Sequence, residues 1–203
     1  IKINKRDGRQ EYLDISKIQK NTVAATKDLS NVSQSELELD AHIKFIDGMS
    51  TEDIQDTLIK TAVEKIDIDA PNWTFVASRL FLFDLYHRVG KVTHGIKGNA
   101  YCHFSDYIKF GQNSNRLIQG LEKDFDLEDL NNYIMPQRDF QFNYLGIKTL
   151  YDRYLIKNND GQAIELPQQM FMAIAMFLAQ EEVNKQEKAK EFYDVVSKFE
   201  VML

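Results

Sequence analysis

The chain contains one cysteine, three prolines, nine glycines and a single tryptophan in 203 residues. One cysteine excludes a disulfide framework or a cysteine-ligated zinc cluster, and a reducing, cytoplasmic setting is the expectation that follows. The most apolar stretch, Met170 to Ala179, is far shorter than the roughly 18 to 20 residues a membrane span requires, so no membrane partner is expected. The opening Ile1-Lys2-Ile3-Asn4-Lys5-Arg6-Asp7 lacks the apolar core of a secretory signal. A Gly-rich phosphate loop, a dinucleotide fingerprint, a nucleophile elbow and a zinc ribbon are all missing. With 43% hydrophobic residues, the chain has too much core-forming material to be disordered. Its net charge of −6 argues against a nucleic-acid partner.

The pattern that remains is mainly helical, with a small β element at the front. Ile1, Ile3 and Lys5 alternate with Lys2, Asn4 and Arg6, and alternation resumes over Gln10 to Leu13 across Asp7-Gly8, a dipeptide suited to a tight hairpin turn. Helical spacing follows: Ile15, Ile18, Thr22 and Ala25 predict a helix over about Ser16 to Leu29. Ser33 and Glu36 form a capping-box pattern that opens a second helix. A third starts at Ser50 or Thr51, with Ile54, Leu58, Ala62 and Ile66 on its inner face. Pro71 is placed to begin a fourth, with Val76, Leu80, Phe83 and His87 on one stripe. Gly90, Gly95 and Gly98 mark a connector. Short helices then precede Pro136, helices follow over Phe142 to Tyr154 and from Pro167, and a small hairpin turns at Lys157 to Gly161. A charged helix closes the sequence, over about Asn184 to Val201. The expected divisions are residues 1–90, a helical connector over 91–135, and a helical region over 136–203.

Few residues suggest chemistry. Four cations (Lys2, Lys5, Arg6 and Arg9) lie in the first nine residues, and Lys17 follows on the first helix. A nucleoside triphosphate carries several negative charges and needs convergent cations. Lys5, Arg6 and Lys17 can supply them, with Thr51 adding a hydroxyl at a helix N-terminus. From spacing alone the same Lys-Arg-Asp-Gly reads first as a solvated turn, since charged turns are common. Cys102-His103 has no partners at metal or nucleophile spacing, nor do His42, His87 and His94. The carboxylates Glu36, Glu38, Asp40, Asp124, Asp126, Glu128 and Asp129 read as caps and solvated faces, and the aromatic stripes Phe81, Phe83, Tyr86, Phe171 and Phe177 as core. No catalytic residue and no metal site is assigned.

Lys5-Arg6-Asp7-Gly8-Arg9, Glu11, Asp14 and Lys17-Ile18 closely resemble the opening signature of the ATP-cone domain. Further blocks resemble the N-terminal region of class I ribonucleotide reductase large subunits: Asp69-Ala70-Pro71-Asn72-Trp73 with Val76-Ala77 and Arg79-Leu80, Asp139 to Leu155, Glu165 to Phe171, and Glu191 to Ser197. The resemblance runs through the whole chain and is weakest over about residues 91–135. It implies an ATP-cone four-helix bundle capped by a small β-sheet, then a helical region leading toward an α/β barrel that holds the family's catalytic cysteines. It further implies an effector site for ATP (activating) or dATP (inhibiting), with Mg²⁺, controlling reduction of ribonucleoside diphosphates. Carried over by position, Ile3 meets the adenine through its main chain, and Glu11 and Asp14 sit near the base. Ile15 and Ile18 form an apolar wall, while Lys5, Arg6, Lys17 and Thr51 hold phosphates. Three positions depart from well-known members: Asp14 replaces an Asn, Gln55 a His beside sugar and phosphates, and His87 a phosphate-binding Lys. The implied partners are a small, radical-generating subunit and a second large subunit. Three rival readings are a degenerate cone that serves only as a subunit-interaction module, a nucleotide-sensing repressor, which would need a zinc ribbon, and a radical enzyme of the anaerobic reductase type. Against the last, the Asp139 to Leu155 and Glu165 to Phe171 blocks resemble the aerobic, two-subunit class.

Overall fold

The computed structural model describes residues 1–5, 8–95, 101 and 103–201. It is mainly helical, with one two-stranded antiparallel sheet at the front. The elements are β1 (Lys2–Asn4), β2 (Gln10–Tyr12), α1 (Ile15–Thr26), α2 (Gln34–Ile43), α3 (Thr51–Glu64), α4 (Trp73–His94), α5 (Phe104–Asn113), α6 (Leu127–Tyr133), a 3₁₀ helix (Pro136–Gln141), α7 (Tyr144–Arg153), α8 (Pro167–Ala179) and α9 (Lys185–Ser197). The chain divides into two compact units, Ile1–Asp84 with Phe142–Lys148, and Leu85–Gln141 with Thr149–Leu203.

The first unit holds the hairpin, α1, α2, α3 and the N-terminal part of α4. Three helices start on side-chain caps that satisfy orphan backbone N–H groups. The Asp14 carboxylate accepts from the N–H of Ser16, and the Ser33 hydroxyl from that of Glu36. Ser50 and Asp53 form a complete capping box on α3. Heptad-like spacing buries Ile18, Thr22 and Ala25 of α1 and Ile54, Leu58 and Ala62 of α3, with Val76, Ala77 and Leu80 of α4 also in this core. Polar ties reinforce it. Lys65 bridges Glu36 (2.7 Å) and Asp40 (2.5 Å) of α2, and the Arg79 guanidinium donates to the carbonyls of Ala25 (3.2 Å) and Lys27 (2.7 Å) at the α1 C-terminus.

The hairpin is fixed along its second edge as well. The Asn4 N–H donates to the Met49 carbonyl (2.9 Å), the Gly48 N–H to the Lys2 carbonyl (2.8 Å), and the Asn4 side-chain amide to the Gly48 carbonyl (2.7 Å). Gly48 has φ +87°, a conformation open to glycine and strained for other residues, which lets this loop turn back on β1.

The second unit packs α8 against α9 around Met172, Ala175, Met176, Ala179, Ala189 and Tyr193. Two carboxylates are wholly buried within it. Asp139 accepts from the hydroxyls of Tyr86 and Tyr101 (2.6 Å each) and from the Gln168 amide (2.8 Å). Glu165 accepts from the Tyr107 hydroxyl (2.5 Å) and the Ile156 N–H (2.7 Å). Burial outweighs these donors, pushing Asp139 up to about 6 and Glu165 up to about 7.

Several sequence expectations are corrected. Helix α1 ends at Thr26, before the expected Leu29, because Lys27 leaves helical geometry and Arg79 takes up the last carbonyls. Ile66 follows the end of α3 and is exposed. Pro71 lies in the turn before α4 rather than in its first turn. The connector expected from Gly90 begins later, since α4 continues to His94 and Gly95, at φ +64°, follows it. Gly90 is buried beside Val89, so packing overrides its weak helix propensity. Phe177 is exposed on α8 instead of lying in the core. The small hairpin expected at Lys157–Gly161 is present: Lys157 bridges Ala163, the Asn158 N–H donates to the Gln162 carbonyl (2.9 Å) and the Ile164 N–H to the Ile156 carbonyl (3.0 Å). Cys102 lies outside the described residues.

A carboxyl whose pKa is raised on folding keeps its proton in the native state while the unfolded chain loses it. Its effect on stability is therefore zero at low pH, unfavourable as pH climbs through the unfolded value, and constant above the folded value. Asp139 rises from 3.8 to about 6, about 3 kcal/mol at 1.36 kcal/mol per unit. Urea titrations from pH 4 to 7 will show this loss superimposed on the other carboxylates, and Asp139→Asn will flatten the segment between pH 4 and 6.

Candidate functional site

A cavity of about 150 Å³ lies in the first unit, among the hairpin, α1 and α3. Each element presents one face to it, set by its own backbone period. In the hairpin, Ile3 and Lys5 are two residues apart and so share a face, and Glu11 stands opposite Ile3 in the strand register. Leu13 lies two residues beyond Glu11 and also lines the cavity. From α1 and its cap come Asp14, Lys17, Ile18 and Asn21, at i, i+3, i+4 and i+7. From α3 come Thr51, Ile54, Gln55 and Leu58, at the same spacing.

The floor is apolar, built from Ile3, Ile18, Ile54 and Leu58, all buried. The rim is charged. Lys5 Nζ is 2.7 Å from Glu11 Oε1, and Lys17 Nζ is 3.5 Å from Asp14 Oδ2 and 4.0 Å from Glu11 Oε1. The hydrogen bond from Lys5, helped by the charges of Lys17 and Arg9, holds the Glu11 carboxyl below the usual carboxylate range. The Ser16 hydroxyl and N–H, followed by Lys17, do the same for Asp14. Gln55 is fixed by its amide N–H, which donates to the Leu80 carbonyl of α4 (2.8 Å). Thr51 is the first residue of α3, directly after the Ser50 cap.

Eight of the residues singled out from sequence line this cavity: Ile3, Lys5, Glu11, Asp14, Lys17, Ile18, Thr51 and Gln55. Arg6 lies outside the described residues. Ile15 does not line it. The inward stripe of α1 is Ile18, Thr22 and Ala25, and Ile15 stands one turn earlier, 53% exposed. The apolar wall is formed by Leu13, Ile54 and Leu58 together with Ile18. His87, on the part of α4 that belongs to the second unit, is not a lining residue either. The main chain of Ile3 is engaged. The flanking bonds from Leu13 N–H to the Ile1 carbonyl (3.0 Å) and from Lys5 N–H to the Arg9 carbonyl (2.7 Å) direct the Ile3 N–H and C=O to Glu11 across the ladder. Only a second lone pair on the Ile3 carbonyl remains for a ligand donor.

Sequence reasoning missed Leu13 and Asn21 as lining residues, and assigned Ile54 and Leu58 to the core alone. Extending the i, i+3, i+4, i+7 set from Asp14 and from Thr51 gives all but Leu13, and strand alternation from Glu11 gives Leu13. Among the described residues no group of three metal-capable side chains is arranged to hold an ion. His94 and His103 lie with their ring centroids 4.7 Å apart, tilted at 38°, near Asp106 without forming such a set.

Two family models match this chain: the ATP cone domain over residues 1–88, which contains every cavity residue, and the ribonucleotide reductase, all-alpha domain over residues 140–203. The chain is thus similar to an ATP cone domain over its first part and to a ribonucleotide reductase, all-alpha domain over its last. It is 59% identical over 202 residues to the ribonucleoside-diphosphate reductase subunit alpha of Helicobacter pylori, covering 100% of this chain and 25% of that relative. It is 33% identical to ribonucleoside-diphosphate reductase 1 subunit alpha of Salmonella typhimurium and 32% to that of Escherichia coli, in each case over 99% of this chain and 26% of the relative. The chain therefore spans about a quarter of the length of these relatives.

The Ser50 cap orients the α3 end of the cavity. Ser50→Ala removes its bonds to the Asp53 N–H and carboxylate and will cost about 1 kcal/mol in urea unfolding, most of which Ser50→Thr will restore.

Proposed function

We propose that the first unit is the effector-binding part of a ribonucleoside-diphosphate reductase large subunit, taking ATP as activator and dATP as inhibitor. The observation that carries this reading is the single cavity face assembled from hairpin, α1 and α3, apolar at its floor and lysine-bearing at its rim. A volume of about 150 Å³ is below the roughly 300 Å³ of a pocket that encloses a whole ligand. The recess therefore takes the base, against Ile18, Ile54 and Leu58, and the phosphates lie over the rim.

Lys5, itself half-buried, and Lys17, 66% exposed, take the phosphates with Arg6, and Thr51 adds its hydroxyl. Glu11 and Asp14 accept from the exocyclic amine of the base, as ionised carboxylates can only accept. Gln55 keeps its amide oxygen for the sugar, because its N–H is held by Leu80. Mg²⁺ would arrive on the phosphates, since it retains waters and needs few protein ligands. ATP and dATP differ by one hydroxyl, so any opposite effect of the two rests on differential affinity for two states of the assembly. The whole enzyme would reduce ribonucleoside diphosphates with a small radical-generating subunit, in the cytoplasm, with two large subunits paired; no catalytic residue is assigned to this chain.

A second reading, a cone that only packs against subunits, is favoured by one feature. The two cations among the described lining residues are matched by two carboxylates. Calorimetry separates the two readings. With Mg²⁺, ATP and dATP will bind at micromolar concentration, and Lys5→Ala/Lys17→Ala will weaken both by about tenfold or more. Absence of heat for either nucleotide with a folded chain would leave the packing role.

A further inference from the structure

Both rim lysines are paired with carboxylates of the cavity. Lys5 is 2.7 Å from Glu11, and Lys17 lies within 4.0 Å of both Glu11 and Asp14. The strand register imposes this arrangement. Glu11 opposes Ile3, and Lys5 is the next residue on that same face, so the two side chains meet diagonally across the hairpin. Arg9, whose carbonyl accepts from the Lys5 N–H, adds its charge near Glu11. A phosphate brought to Lys5 therefore meets a carboxylate already there. Two anions on one partly exposed ammonium repel each other, so the ammonium must be shared at a cost or transferred.

We propose that the Lys5–Glu11 ion pair is a counter-ion gate on the nucleotide site: Glu11 holds Lys5 until a phosphate takes it, and the released carboxylate becomes the acceptor for the base. This rests on the nucleotide reading above and adds an order to it. Phosphate and base recognition become coupled through one carboxylate, and the coupling is reciprocal. Adenosine alone meets a carboxylate still tied to Lys5. A polyphosphate alone must break the pair and receives nothing from the base pocket in return.

The test uses inorganic tripolyphosphate and ATP, each titrated into the 203-residue chain and into Glu11→Gln, with circular dichroism to establish that both are folded. Glu11→Gln removes the competitor and keeps the shape. Exposed pairs of this kind correspond to about a two- to fivefold change in affinity, so Glu11→Gln will bind tripolyphosphate about two- to fivefold more tightly than the parent. Its gain for ATP will be smaller, because the base loses its carboxylate. A second readout accompanies this: by NMR, the Glu11 carboxyl of the parent will titrate below ordinary carboxylates and will return upward when tripolyphosphate is added. Unchanged or weaker tripolyphosphate binding in Glu11→Gln, with ATP still bound by the parent, would overturn the gate and leave the nucleotide site standing. Failure of both ligands to bind either protein would overturn the two together.

Discussion

The bond pattern between β1 and the loop before α3 is the constraint on which the first unit's cavity depends. A two-stranded hairpin is marginal in water by itself, and the face of a free one would not be held toward any helix. Here β1 is hydrogen-bonded on both edges, to β2 through the ladder and to Gly48 and Met49 through its outward-facing groups. Ile3 is thereby buried, and Lys5 and Glu11, in period with it, must follow. The loop that supplies these bonds ends in Ser50, the cap of α3. One short run of main chain thus places both the charged rim and the first turn of the helix beneath it.

Charge is arranged differently from what a count of basic residues suggests. Four cations in the first nine residues read as a strongly positive anion seat. Side by side with Glu11 and Asp14, the described rim is close to neutral. Neutrality matters for the proposed nucleotide site, because an unscreened cluster of lysines would attract any polyanion. Under the proposed gate, a rim whose cations must be released favours ligands that also satisfy the freed carboxylates, and so ties affinity to the base as well as to phosphate.

The parts legible in the sequence are those governed by local periodicity and capping. Ser33, Ser50 and the alternation around Ile3 and Glu11 carry their structure in neighbouring residues, and the helical class of the chain follows from spacing alone. The parts that were not legible depend on residues distant in sequence. The end of α1 is set by Arg79, which lies on α4. Gly90 stays helical where it is packed, buried together with Val89. Ile15 has the spacing of a wall residue but stands one turn outside it. Asp139 and Glu165 look like any surface carboxylates until Tyr86, Tyr101, Tyr107 and Gln168 close over them. Their raised pKa values are products of tertiary burial that no local pattern encodes.

The most direct test of the proposed effector site is a map of where nucleotide lands. Backbone amide resonances of the isotope-labelled chain, followed while ATP and Mg²⁺ are added, will shift together at Ile3 to Glu11, Asp14 to Asn21 and Thr51 to Leu58, with one saturation curve. The amides of α8 and α9 will stay in place. Shifts gathered elsewhere, or none over these three segments at millimolar ATP, would contradict the assignment of this cavity to the nucleotide.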